Sequence, residues 1–345
     1  MQLIFERQTS APHFDLMKKT SSIWLVSLTV LLAVLFVLDL CTGSMFISLR
    51  HLFDADDVSV LHRIMLDLRL PKAITAVFAG LGLSVTGLIM QTLFRNPLAG
   101  PYILGVSSGA TLGVALVTML ATILATPLAG GSYSVVAAAI VGSTMVLLLV
   151  MAIAHKVESN VSLLIIGMMI GSVASALVNV LQNFSNPDAL KLFIVWTLSS
   201  LSSVNWEQMP LLAGLTIVGM LLCVMLIKPL NGMLLGENYA RGLGINLSRV
   251  RLLVVVATGL LAGSITAFCG PIAFVGVAVP HIARGLMRTS EHGLTMAASA
   301  LIGADLLLVC DIISSLFTYP LPISTVSALF GAPIIIWIIV KGRRS

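Results

Sequence analysis

Long apolar runs separated by short polar breaks dominate the chain. A helix needs about 20 mainly apolar residues to cross the hydrocarbon core of a bilayer. The pattern predicts ten transmembrane helices, at 23–40, 73–93, 107–125, 135–154, 163–181, 211–227, 252–268, 270–279, 294–316 and 326–340. A short helix is also predicted at 189–198, in the loop between the fifth and sixth spans.

The composition agrees with this pattern. The 345 residues are 58% hydrophobic and only 10% charged, whereas soluble domains carry about 25% charged residues. We therefore expect an all-α integral membrane protein, with a tail at 1–20 and one transmembrane domain at 21–345. Ten spans leave no room for a separate soluble domain.

The positive charges predict the orientation. With the N-terminus inside, most of the 19 lysines and arginines lie in inside segments, as they do in cytoplasmic loops generally. Both termini are then cytoplasmic, and so is the long polar segment at 231–251. This segment contains three arginines and is much longer than a turn requires. We interpret it as an amphipathic helical segment that a cytoplasmic partner holds.

The sequence contains no motif for nucleotide hydrolysis or metal catalysis. There is no G-x-x-x-x-G-K-[ST] and no H-E-x-x-H, and the six histidines show no ligand spacing. The four cysteines lie in apolar segments without a C-x-x-C pair, which is typical of small buried side chains. We expect no enzyme activity, no metal and no cofactor in this chain.

Few acidic residues lie within the spans. Asp39 and Asp311 are expected near the outer ends of their spans, and Asp305 lies deeper in the ninth. A secondary carrier driven by an ion gradient would need paired acidic residues inside the membrane. Asp305 has no charged neighbour at i±3 or i±4, so we expect a local structural role for it. The sequence disfavours a carrier, which nonetheless stays the alternative class of function.

Several stretches, taken together and in order, resemble the FecCD-type permease subunits of bacterial ABC importers for ferric siderophores, haem and vitamin B12. The resemblance runs from about residue 25 to the C-terminus. The matching stretches are Arg69-Leu70-Pro71-Lys72, Gly87 to Ala99, Leu104 to Ala110, Leu235-Gly236-Glu237 with Ala240 and Leu243-Gly244, Gly270 to Gly276, Val279 to Arg284, Leu321-Pro322-Ile323 and Gly331-Ala332-Pro333.

The resemblance implies the type II ABC importer permease fold in the inner membrane of a bacterium. It also implies a homodimer that binds two cytoplasmic ABC ATPase subunits and a periplasmic or lipid-anchored substrate-binding protein. The bilayer is the remaining partner, and no nucleic acid is expected. The implied mechanism is alternating access at the dimer interface, driven by ATP hydrolysis in the partner.

The resemblance also assigns roles to residues on the two membrane faces. Six residues in 231–251 match the segment that contacts the ATPase, although an ordinary surface helix is the simpler alternative. Arg69 and Lys72 match basic positions that hold the binding protein; interfacial snorkelling is their alternative. Near the end of the ninth span, where some members of the family carry a further arginine, this chain has Ser314 and Ser315. The six coupling residues are Gly236, Glu237, Ala240, Arg241, Leu243 and Gly244.

Gate and pathway residues follow from the same resemblance and from the polar positions within spans. Asn96 and Leu98 match a position that closes the cytoplasmic mouth, and Ser159 with Asn160 is expected to form a second constriction. A polar stripe on the fifth span either lines the pathway or bonds a neighbouring helix. The pathway candidates are Ser107, Ser108, Ser172, Ser175 and Asn179.

The cargo is the least determined property. An iron chelate, either a ferric siderophore or haem, is the expected cargo because that branch of the family is the broadest. Vitamin B12 is the alternative. No constellation of His or Tyr side chains selects haem.

Overall fold

A computed structural model of the protein describes residues 2–43, 45–50, 60–120, 132–154, 157, 160–317 and 319–342. Within these ranges the chain is helical, as predicted, and contains no strand. The helices are α1 Gln2–Cys41, α2 Val60–Phe94, α3 Val106–Leu120, α4 Ser132–Ala154, α5 Asn160–Phe184, α6 Pro187–Thr197, α7 Met209–Met225, α8 Ile227–Leu234, α9 Glu237–Gly242, α10 Leu247–Cys269, α11 Val275–Met287, α12 His292–Ser315 and α13 Ile323–Gly342.

The described helices include six that are long and apolar enough to cross a membrane, namely α1, α2, α4, α5, α10 and α12. A seventh span results if α7 and α8, which meet at an angle of 47°, are taken together. Shorter apolar helices occupy the positions of the predicted third, eighth and tenth spans. The short helix predicted between the fifth and sixth spans is α6. Asn186 caps its start, because Asn186 Oδ1 accepts a hydrogen bond from Ala189 N at 2.8 Å.

The helix at the eighth predicted span begins and ends later than the predicted range 270–279. Residues 270–274 are not helical, and α11 starts at Val275 and continues through Pro280. Gly270 has φ +76°, and the loop after α6 holds this stretch through Ser200 N–Cys269 O at 2.9 Å and Ser199 Oγ–Pro271 O at 2.7 Å. These bonds satisfy backbone groups that a helix would otherwise have to pair.

The long polar segment at 231–251 divides into three parts. Its first residues belong to α8, its centre forms α9, and its last residues begin α10. The predicted start of the seventh span at residue 252 was therefore too late. Asn246 explains the earlier start, because its Oδ1 accepts a hydrogen bond from Arg249 N at 3.1 Å and caps α10.

Helix α2 lies at the centre of the bundle and is largely buried, whereas α1, α4 and α5 are mostly exposed. Glycines set its distance from two neighbours. A Cβ atom added to Gly80 would overlap the backbone of Gly303 in α12, and one added to Gly87 would overlap the backbone of Gly276 in α11. Such small residues let helix backbones approach closely in membranes.

We predict that Gly87→Ala lowers stability by about 1–3 kcal/mol, the usual effect of overpacking. The added methyl group meets the Gly276 carbonyl, which is backbone and cannot rotate away. The control is Gly214→Ala in α7, because a Cβ there has nothing within 4 Å. Thermal unfolding of the two purified variants in detergent checks this, and equal unfolding midpoints would contradict it.

Candidate functional site

The centre of the polar segment is the short helix α9, held between two glycines with positive φ. Gly236 has φ +116° and Gly244 has φ +80°, and a Cβ atom at either position would meet nothing within 4 Å. Both glycines are therefore required by backbone conformation and not by space. Side chains other than glycine rarely adopt such angles.

One face of α9 is anchored and the other is exposed. Ala240 is fully buried, and its carbonyl oxygen accepts a hydrogen bond from Ile245 N at 3.0 Å. Tyr239, Arg241 and Leu243 are exposed, with 54% of Tyr239 and 58% of Leu243 accessible. Tyr239 and Arg241 belong to residue types that are enriched at protein interfaces, and Leu243 adds an exposed aliphatic side chain just after the helix.

The predicted gate residues lie in a turn at residues 95–98, which we call the gate loop. Arg95 ends α2 in the left-handed conformation, with φ +47°. Asn96 Oδ1 accepts a hydrogen bond from Leu98 N at 2.9 Å and so holds the turn locally. The Leu98 side chain is 44% exposed. His281 in α11 holds the loop from outside, through Nε2 and the Pro97 carbonyl oxygen at 2.8 Å.

Between the gate loop and α8 lies a cavity of about 320 Å³, lined by polar and apolar side chains. Arg284 donates a hydrogen bond to Gln91 Oε1 on one side of it. On the other side, the buried His292 hydrogen-bonds both Thr92 and Asn231. The described lining contains basic residues and no acidic residue: Gln91, Thr92, Arg95, Pro97, Met233, Leu234, His281, Arg284, Ser290 and His292.

Glu291 caps α12 next to this cavity. Its carboxylate accepts hydrogen bonds from Gly293 N at 2.7 Å, Leu294 N at 2.8 Å and Asn231 Nδ2 at 3.0 Å. Partial burial by itself raises the pKa of Glu291, but these hydrogen bonds outweigh it and lower the pKa below its ordinary value. Glu291 is therefore a carboxylate that fixes the position of Asn231.

The two predicted docking residues lie near one another at the opposite end of the bundle. The Arg69 guanidinium donates hydrogen bonds to the carbonyl oxygens of Leu40 at 2.9 Å, Cys41 at 2.8 Å and Met45 at 2.6 Å. It therefore holds the chain that leaves α1. The side chain is partly exposed and can still meet a partner at its edge.

Lys72 forms an ion pair that the sequence did not predict. Its Nζ lies 2.9 Å from Asp311 Oδ2 and donates a hydrogen bond to Ser315 Oγ at 2.7 Å. Asp39 of α1 is close enough to Asp311 to interact with it electrostatically, so α1, α2 and α12 meet at this cluster. The sequence analysis assigned no partner to Asp311, because the partner lies on another helix.

The pathway candidates fall into two separate groups. Ser107 and Ser108 lie at the start of α3, where Ser108 faces Gly171 on the buried side of α5. Ser172, Ser175 and Asn179 lie on the exposed side of α5. The structure therefore does not bring the two groups together within one chain.

The second predicted constriction is only partly within the described residues. Ser159 lies outside them, and so does the side chain of Asn160, whose backbone begins α5. The turn before α5 contacts the polar segment, since Arg251 Nη1 donates a hydrogen bond to the Val157 carbonyl oxygen at 2.9 Å.

We predict that Lys72→Met destabilises the protein by about 3–5 kcal/mol, because removal of one partner leaves a buried charge uncompensated. Lys72→Met combined with Asp311→Asn is expected to recover most of this loss, since no unpaired carboxylate then remains at residue 311. Thermal unfolding in detergent measures both variants. A double variant as unstable as the single one would contradict this account.

Known proteins share the sequence and the fold along almost the whole chain. The FecCD transport family matches residues 31–341. The vitamin B12 import system permease protein BtuC of Citrobacter koseri is 35% identical over 323 residues, covering 93% of this chain and 95% of that protein. The protein of the same name from Klebsiella pneumoniae subsp. pneumoniae is 35% identical over 330 residues, covering 95% and 96%.

Two solved structures resemble the fold. One shows an inward-facing conformation of a transporter assigned to the metal-chelate type of ABC transporters. It superposes with a TM-score of 0.80 at 30% identity, covering 92% of this chain and 98% of that one. The other is PsaBC from Streptococcus pneumoniae in complex with Fab. It superposes with a TM-score of 0.55 at 17% identity, covering 84% of this chain and 94% of that one. At this identity the likeness is one of fold alone.

Proposed function

Because the chain belongs to the FecCD transport family, we propose that this importer permease carries a metal chelate into the cytoplasm, driven by ATP hydrolysis in a separate subunit. Its relatives are transport subunits and not enzymes. The similarity to BtuC over 93% of the chain carries the proposal. The long apolar helices agree with a multi-pass protein of the bacterial inner membrane.

Helix α9 is the part that we assign to the ATPase contact. The exposed face of Tyr239, Arg241 and Leu243 supports this assignment, because it offers apolar and charged groups next to each other. Gly236 and Gly244 support it as well. They allow the helix to pivot at both ends, while Glu237 at its first turn and the buried Ala240 keep it a defined unit.

The remaining assembly follows the sequence prediction. Both termini and the gate loop are cytoplasmic in this proposal, and two copies of the chain enclose the pathway. The exposed polar stripe of Ser172, Ser175 and Asn179 on α5 then faces either the pathway or the second copy. Arg69 and Lys72 lie on the outer side, where a periplasmic or lipid-anchored binding protein docks. Arg69 is the stronger docking candidate, because the charge of Lys72 is paired with Asp311, whereas Arg69 bonds neutral carbonyl oxygens.

The cargo proposal starts from the relatives. Proteins named as vitamin B12 permeases match at 34% to 35% identity, so a cobalamin is the first metal chelate to test. An iron chelate, which the sequence predicted, is the second candidate. The structural likeness to a transporter assigned to the metal-chelate type fits both.

Uptake of labelled cyanocobalamin and of a ferric siderophore by proteoliposomes tests the proposal. The complete complex, with its ATPase and binding protein, is expected to accumulate one of them only when ATP is present. The chain alone is expected to transport neither under a proton or sodium gradient. Gradient-driven uptake by the chain alone would support a secondary carrier and would overturn the proposal.

We predict that Gly244→Ala weakens ATPase binding and lowers uptake by about tenfold, since the left-handed conformation costs other residues about 1–2 kcal/mol. Gly242→Ala is the control: Gly242 lies in the same segment, its added Cβ also meets nothing, and its φ is not positive. Co-purification of the ATPase and uptake measure both variants. Equal loss in the two, or none in either, would contradict the coupling role of α9.

A further inference from the structure

His292 connects two helices that lead to different parts of the proposed mechanism. It begins α12 and is 1% exposed. Its Nε2 lies 2.8 Å from Thr92 Oγ1, near the end of α2 and three residues before the gate loop. Its Nδ1 lies 2.7 Å from Asn231 Oδ1, in α8, which leads directly into α9.

The hydrogen bonds of Asn231 determine which ring nitrogen carries the proton. The backbone N of His292 donates to Asn231 Oδ1 at 2.8 Å, and the Asn231 amide nitrogen donates to Glu291 at 3.0 Å. The oxygen of Asn231 therefore faces the ring, so Nδ1 must be the donor. In the neutral ring Nε2 then accepts a hydrogen bond from the Thr92 hydroxyl. Each ring nitrogen is thus committed to one of the two helices.

We propose that His292 is a positioning residue that transmits movement of α9 to the gate loop. This inference rests on the proposed function, because it takes α9 as the ATPase contact and residues 95–98 as the gate. Gly236 lets α9 pivot, but a translation of α9 still moves α8 and Asn231, because two residues, Leu235 and Gly236, join the helices. His292 passes that movement to Thr92, and so to the end of α2, without an intervening flexible loop.

The cavity beside these residues leaves room for such movement. His292 and Thr92 are both buried, and both line the cavity of about 320 Å³. Met233 and Leu234 of α8 line it as well, so the cavity lies between the end of α2 and α8. The gate loop is held across this space by His281 at the Pro97 carbonyl oxygen. The loop is therefore fixed between α11 and α12, and a shift of one relative to the other changes its shape.

A purely structural role is the competing explanation. A buried histidine with two partners also stabilises a fold, and Glu291 already caps α12 beside it. The two explanations differ in one measurable quantity. A structural role alters assembly and stability, whereas transmission alters how strongly nucleotide changes the gate while ATP hydrolysis continues.

The experiment measures the gate without requiring a known cargo. Leu98→Cys introduces a cysteine at an exposed gate position, and the four native cysteines are buried. The complex with its ATPase is placed in nanodiscs. The rate of modification by a charged maleimide is compared without nucleotide and with ATP plus vanadate. The chain without the added cysteine gives the background rate.

We expect nucleotide to change this rate by about fivefold or more in the Leu98→Cys protein, within the usual range of coupling between sites. When His292→Ala is combined with Leu98→Cys, the modification rate with nucleotide is expected to be nearly equal to the rate without it. ATP hydrolysis and co-purification of the ATPase are expected to persist. His292→Gln keeps a donor and an acceptor and is expected to retain more of the change than His292→Ala.

Thr92→Val keeps the inference testable if His292→Ala fails to assemble. It removes only the hydroxyl that reaches the ring and is expected to reduce the nucleotide effect. Thr75→Val is the matched control in the same helix. Thr75 is also buried, but its hydroxyl donates to the Pro71 carbonyl oxygen of its own helix at 2.7 Å and not to another helix. This control is expected to keep the full effect.

The outcomes separate failure of the inference from failure of the proposed function. An unchanged nucleotide effect in both His292→Ala and Thr92→Val would overturn the role of His292 and leave the proposed gate intact. The role of His292 is likewise overturned if Thr75→Val loses as much of the effect as Thr92→Val. Absence of any nucleotide effect in the otherwise native Leu98→Cys complex would overturn the gate assignment, and the inference with it.

Discussion

The close packing of α2 against α11 and α12 is the constraint on which the rest of the structure depends. Gly80 and Gly87 bring the backbones together, so there is no side chain at these crossings that could yield. Lipid offers no hydrophobic driving force between helices, and close contact of this kind takes its place. A rigid α2 then keeps Lys72 at one end and Thr92 at the other in a constant relation.

Buried polar groups at the two ends of α2 meet their partners across helices. Lys72 pairs with Asp311 and Ser315 of α12 at one end, and His292 of the same helix bonds Thr92 at the other. An unpaired polar group is expensive where water is excluded. These contacts therefore fix the rotation and height of α12 relative to α2, which glycine packing alone would leave free to slide.

The end of the bundle that carries α9 combines rigid and adaptable parts. The buried bonds of His292 and Asn231 are fixed, whereas α9 is bounded by Gly236 and Gly244, whose backbone angles other residues rarely adopt. In the proposed function this arrangement suits coupling of the ATPase contact at α9 to the gate loop. A rigid path transmits displacement, and glycine hinges allow the contact with the ATPase to follow its partner.

Local apolar pattern, glycine spacing and motif order were enough to predict the helical membrane class, most helix positions and the polar segment around α9. The tertiary structure decided the start of α11, the separation of the pathway serines and the partners of Lys72 and His292. Lys72 and Ser315 are 243 residues apart in sequence. Such contacts form only when helices pack, and no local pattern encodes them.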